Sequence, residues 1–165
     1  MTNNQEYIDG MGGKKPKAAK RVNIVSIKLC KESSVLYEPR FVNNPADAAD
    51  LVREFLSDCD REKIIAVCLD TKHQPTAITT ISIGTINSSL IHPREVFKTA
   101  ILSNSAAIIL AHNHPSGKPE PSNDDINITK RLVDAGTVLG INVIDHVIIG
   151  AANGQYKSMR ELRLI

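Results

Sequence analysis

Two imidazoles lie two residues apart, followed by a hydroxyl and then a carboxylate. These are His112, His114, Ser122 and Asp125, in the run His-Asn-His-Pro-Ser-Gly-Lys-Pro-Glu-Pro-Ser-Asn-Asp-Asp over residues 112–125. On an extended segment, side chains at i and i+2 share a face, so both rings can reach one ion at about 2.0–2.1 Å. Pro115 biases His114 toward an extended backbone. A carboxylate would complete three N/O ligands and leave the fourth position of a catalytic zinc site for water. Ser122 and Asp125 also have the spacing of a capping box, which places them at a helix start. Such a start is a stiff platform, so capping does not exclude ligation. Asp124 competes with Asp125 for the ligand role on spacing alone.

The elements that must position these groups follow from periodicity. Ala106 to Ala111 is an apolar strand that delivers the histidines to a loop. Ser122 to Leu139 is the longest helix, with Ile128, Leu132, Ala135 and Leu139 on one face and Gly140 placed to stop it. Ile141 to Ile149 is a strand interrupted by Asp145-His146, and a hairpin or short loop through Asn153-Gly154 ends the domain.

Upstream, Val22, Ile24, Ile27 and Leu29 alternate roughly with polar residues and predict a strand. Val35-Leu36-Tyr37 predicts its return, with the turn near Ser33-Ser34. Asn44-Pro45 opens a helix whose apolar face is Ala48, Leu51, Val52, Phe55 and Leu56. Ile64 to Leu69 reads as a buried strand and Thr76 to Ile86 as another. Pro93 to Ser103 reads as a helix with Val96, Phe97, Ala100 and Ile101 on one side. Helices and strands alternate without strict βαβ regularity, so the expected class is α/β, a mixed sheet flanked by helices.

At 165 residues the chain fits one domain. We expect residues 1–21 to be a disordered basic tail and residues 22–165 a single metal-binding domain. The tail carries Lys14, Lys15, Lys17, Lys20 and Arg21, a cluster that suits a solvated arm or a weak nucleic-acid contact. The net charge of +2 is too small to argue for nucleic acid by itself. No apolar run reaches the roughly 18 residues of a membrane span, and no secretory signal is visible. Cys30, Cys59 and Cys68 are scattered, which excludes a paired-cysteine zinc knot and fits a cytoplasmic protein. Each is read as a small buried residue.

The run His112 to Asp125 resembles the metal motif of the JAMM (MPN+) zinc isopeptidases, an H-x-H, seven residues, then S-x-x-D. The fuller string from Ala111 to Gly117, followed by Pro-x-Pro-Ser-x-x-Asp, resembles the RadC-like branch. So do Thr85-Ile86-Asn87, His92-Pro93-Arg94-Glu95-Val96, Asp145 to Gly150 and Ser158-Met159-Arg160-Glu161. The resemblance covers residues 22–165. It implies a fold similar to cytidine deaminases and Zn²⁺ held by His112, His114 and Asp125. It also implies a zinc-dependent metallohydrolase of metallopeptidase or isopeptidase type, acting on a peptide or an isopeptide-linked protein.

In such enzymes a glutamate opening a buried strand serves as general base, and Glu62, just before Ile64 to Leu69, fits that place. Glu95 is the rival, in the first turn of a helix. Ser122 would donate to the oxyanion. Asn113 stands where JAMM enzymes often carry Ser or Thr, a change expected to alter the surroundings of the ligands without damaging the metal site. His146 reads as a buried, hydrogen-bonded core histidine, and His73 and His92 as surface or helix-start residues. Two alternatives differ in class. One is a DNA-repair or recombination protein, weakened because longer relatives carry a helix-hairpin-helix-like module for which this chain lacks the length. The other is a non-catalytic metal-bearing interaction module.

Overall fold

The computed structural model describes residues 21–38, 40–84, 91–150 and 155–165. Along the chain the elements are α1 (Pro45–Leu56), β1 (Lys63–Leu69), β2 (Pro75–Ile83), α2 (Pro93–Leu102) and β3 (Ala107–His114). They are followed by α3 (Asn123–Leu139), β4 (Asn142–Gly150) and β5 (Tyr156–Ser158). The strands form one sheet in the order β2-β1-β3-β4-β5. β3 and β4 are parallel, and every other neighbouring pair is antiparallel. α3 is the crossover that a parallel pair requires. The expected α/β class with a mixed sheet and flanking helices is what the chain forms.

The helices start and stop where the sequence supplies caps. Asn44 accepts the Asp47 N–H at 2.9 Å, and Pro45 fills the first helical position, where its missing N–H costs nothing. Ser122 and Asp125 form a reciprocal capping box at the start of α3. Gly140, at φ 69°, ends that helix in a left-handed conformation that a side chain would strain.

Parity along the strands divides the core between the two sheet faces. Ile65, Val67, Leu69, Ile109, Ala111, Val147 and Ile149 pack under α1. Ile64, Ala66, Cys68, Ile108 and Leu110 pack under α2 and α3, against Phe97, Ile128 and Leu132. Because both faces are covered, β1 and β3 read as continuous apolar runs rather than alternating ones. β2, at the sheet edge, is only partly buried along its length. No described helix is long and apolar enough to cross a membrane.

Several expectations need correction. Residues 21–37 carry no regular structure, and the Val22, Ile24 and Ile27 side chains face solvent. The strands expected at Val22 to Leu29 and Val35 to Tyr37 are absent: this segment pairs with no strand of the sheet, and alternation alone does not make a strand. β3 runs through His114, so both histidines lie within the strand rather than in a loop after it. Ile101 and Leu139, near the C-terminal ends of their helices, are exposed rather than core. Of the cysteines only Cys68 is buried; Cys30 is exposed and Cys59 half-buried. The tail up to Lys20, Thr85-Ile86-Asn87, and Asn153-Gly154 lie outside the described residues, although β4 and β5 do pair as a hairpin.

Candidate metal centre

His112 and His114 project from β3 onto the α2/α3 face, as their spacing requires. Asp125, in the first turn of α3, meets them from the facing helix. His112 Nε2 lies 2.9 Å from His114 Nε2 and 3.4 Å from Asp125 Oδ1, and His114 Nε2 lies 3.6 Å from Asp125 Oδ2. A tetrahedral ion with ligands at about 2.0–2.1 Å has ligand–ligand edges of roughly 3.3–3.4 Å. The three groups therefore stand at the spacing of a shared cation, and they form a group able to hold a metal ion. Of the two candidate carboxylates, Asp125 is buried beside the histidines, while Asp124 faces solvent.

Each ligand candidate is oriented from behind. The His114 Nδ1–H donates to the Lys118 carbonyl at 2.7 Å, a contact in which only the ring can be the donor. Gly150, opposite His114 in the β3/β4 register, makes room for that loop. A Cβ there would stand 2.5 Å from the Gly117 carbonyl oxygen. Asp125 Oδ2 accepts the Ser122 N–H at 2.8 Å and the Ser122 hydroxyl at 2.6 Å. His112 Nδ1 lies 2.8 Å from His146 Nε2, and His146 Nδ1 lies 2.6 Å from the Thr129 hydroxyl.

The electrostatics fit a positive charge at the centre. Burial pushes His112 well below the usual imidazole range, helped by the neighbouring rings of His146 and His114 and opposed by Asp125. Burial likewise pushes His146 down to about 4. His114 moves up, first through its hydrogen bond to Asp125: a proton there supplies the charge that two lone pairs and a carboxylate call for. Burial works to raise Asp125. Hydrogen bonds from His114 and Ser122 and the proximity of His112 overcome it, holding the carboxyl well below its ordinary range.

Glu62 immediately precedes β1, and two residues after it Ile64 pairs with His112 across the β1/β3 ladder. The same parity carries Glu62 to the end of the ladder where His114 stands, and its charge is one of those that raise His114. Asn113, fully buried on the opposite face, fixes this segment. Its Oδ1 accepts the Lys63 N–H at 2.8 Å, and its Nδ2 donates to the Arg61 carbonyl at 3.0 Å. The rival Glu95 is held on α2 by Lys98 Nζ at 2.6 Å and by Arg94 at 3.9 Å. The Ser122 hydroxyl is turned toward Asp125 in this structure. His73 is exposed, and His92 is the N-cap residue of α2, as expected.

Sequence reasoning gave no role to Thr129. The available signal was its place one helical turn after Asp125, a hydroxyl on the stripe that also carries Ile128 and Leu132.

Comparison with known proteins agrees with this geometry. A family model described as RadC-like JAB domain matches residues 42–164. A UPF0758 protein of Alkaliphilus oremlandii is 52% identical over 124 residues, covering 75% of this chain and 53% of that protein. One of Desulforamulus reducens is 53% identical over 121 residues, covering 73% of this chain and 52% of its own length. One of Methanosarcina barkeri is 42% identical over 154 residues, covering 93% of this chain and 66% of the relative. The chain thus spans about half the length of the first two relatives and somewhat more of the third. Since the family match takes in both histidines, both members of the capping box and the strand behind Glu62, this chain belongs to the RadC-like JAB domain family.

Proposed function

We propose that this chain is a zinc-dependent hydrolase that cleaves an amide, a peptide or isopeptide bond in a protein substrate. One observation carries the reading. Two imidazole Nε2 atoms and a buried carboxylate converge at ligand spacing, with the Glu62 segment held beside them. His112, His114 and Asp125 would hold the ion. A divalent zinc bound there supplies Lewis acidity toward a carbonyl oxygen and lowers the pKa of water toward about 7.

The chain's own groups supply the rest. The His112 side chain is fully covered, whereas that of His114 is 14% exposed, so a substrate approaches over His114. Glu62 takes the proton of the attacking water and passes it to the leaving amine, a role that contributes about 10²–10⁴-fold in rate elsewhere. Ser122 turns its hydroxyl hydrogen from Asp125 to the developing oxyanion, a donor contribution on the order of 3 kcal/mol in other enzymes. When it turns, Asp125 keeps the Ser122 backbone N–H.

Elemental analysis after zinc loading tests the ligand set. We expect about one zinc per chain, lost in His112→Ala and in Asp125→Ala. Glu62→Gln should keep the metal and lose about 10²–10⁴-fold in turnover against a panel of peptides and ubiquitin-like conjugates. Full turnover in that variant removes Glu62 from the mechanism. A wild-type chain that takes up no zinc overturns the whole reading.

A further inference from the structure

Behind the convergent ligands lies a second layer whose hydrogens can be assigned from the partners alone. Thr129 is fully buried on α3, one turn after Asp125. Its hydroxyl owns one hydrogen. The Asp125 carbonyl, 2.6 Å away, can only accept, so that hydrogen goes there. The same Thr129 oxygen lies 2.6 Å from His146 Nδ1. With its hydrogen committed it can only accept, so His146 Nδ1 must carry a hydrogen.

His146 is fully buried and neither of its ring partners is a carboxylate, so an imidazolium there would be an unpaired buried cation. The neutral ring therefore leaves Nε2 as a bare lone pair. That lone pair faces His112 Nδ1 at 2.8 Å, a contact that requires hydrogen on His112 Nδ1. The remaining nitrogen of His112, Nε2, is then unprotonated, and it is the atom that faces His114 and Asp125.

We infer that Thr129 and His146 are positioning residues that lock His112 into the one tautomer able to offer Nε2 to a cation. The inference deepens the metal-site reading and rests on it for its purpose, but the tautomer is a property of the metal-free chain. Neither residue touches the cation position; each acts through His112. Reversing Thr129's part reverses the series. Without its acceptor, the His146 hydrogen is free to move to Nε2, His112 Nδ1 becomes the acceptor, and hydrogen settles on His112 Nε2, where it blocks ligation. Loss of such an outer partner costs about 10–100-fold in metal affinity elsewhere.

Two-dimensional proton–nitrogen NMR of the ring nitrogens in the metal-free chain reads the tautomers directly. We expect protonated Nδ1 and unprotonated Nε2 signals for both His112 and His146. Thr129→Val, close in shape, should mix or invert those signals and weaken zinc binding about 10–100-fold in competition with a chromophoric chelator. Thr129→Ser should restore both. A protonated Nε2 on His112 in the wild type overturns the inference, and that measurement stands even if Thr129→Val does not fold. So does a Thr129→Val protein that melts earlier yet keeps wild-type tautomers and zinc affinity, the signature of a merely structural residue. Wild-type protein with these tautomers but no zinc affinity would defeat the metal-site reading and leave the hydrogen-bond assignment standing.

Discussion

At the scale of single residues, Asn113 shows how a position between two ligands can serve a third group. Its carboxamide bridges β3 to the backbone of residues 59–63, with Lys63, Arg61 and, at 3.4 Å, Cys59 as partners. Those bonds place the Glu62 segment. Asn113→Leu leaves partly buried backbone groups without this partner, so we expect a loss of about 1 kcal/mol in chemical denaturation. Zinc affinity should hold while turnover falls by about 10²-fold, because a proton acceptor displaced by about 1 Å loses that much. Undiminished turnover in a folded variant would separate Glu62 from Asn113. The sequence showed only an asparagine between the two histidines; its partners are distant in the chain and nothing in spacing reveals them. Spacing alone did not separate Asp125 from Asp124, for a similar reason; only the motif resemblance named Asp125. Both fit a first helical turn, and only the approach of α3 to β3 buries one and exposes the other.

At the scale of elements, what could be read depended on how many faces an element buries. β1 and β3 are covered on both sides, so Ile64 to Leu69 and Ala107 to Ala111 announce themselves as apolar runs. The segment from Val22 to Leu29 alternates roughly and forms no strand, because pairing is decided by the rest of the fold. Caps were the most legible feature: Asn44, Ser122 and Gly140 act where they were expected to act. The meeting of β4 with the loop after β3 was not legible, since it turns on the missing side chain of Gly150. Gly150→Ala drives a methyl into the Gly117 carbonyl and must lift the loop that presents Lys118 to His114. We expect a loss of about 1–3 kcal/mol in a thermal melt and zinc binding weaker by about 10-fold. If neither changes, the loop is not what orients His114.

At the scale of the whole molecule, the packed body begins at Tyr37, whose hydroxyl donates to the Asp47 carbonyl at 3.2 Å and whose ring packs with the α1 cluster. Residues 21–36 are exposed throughout. A chain starting at Tyr37 should therefore melt within about 2–3 °C of the 165-residue chain, as changes away from the core usually do. A much larger drop in calorimetry would mean that the leading segment stabilises the fold. The layered α/β plan was legible because alternating helical and strand periods leave few ways to cover a mixed sheet. The identity of the group behind His112 was not, since His146 arrives on a strand far along the chain that is parallel to β3 only in the finished fold. That arrangement has a consequence for biogenesis. While the polypeptide is still leaving the ribosome, His112, His114 and Asp125 emerge before His146, the ring proposed to fix the tautomer of His112. On the proposed reading, His112 is not held in its binding tautomer until β4 has paired with β3.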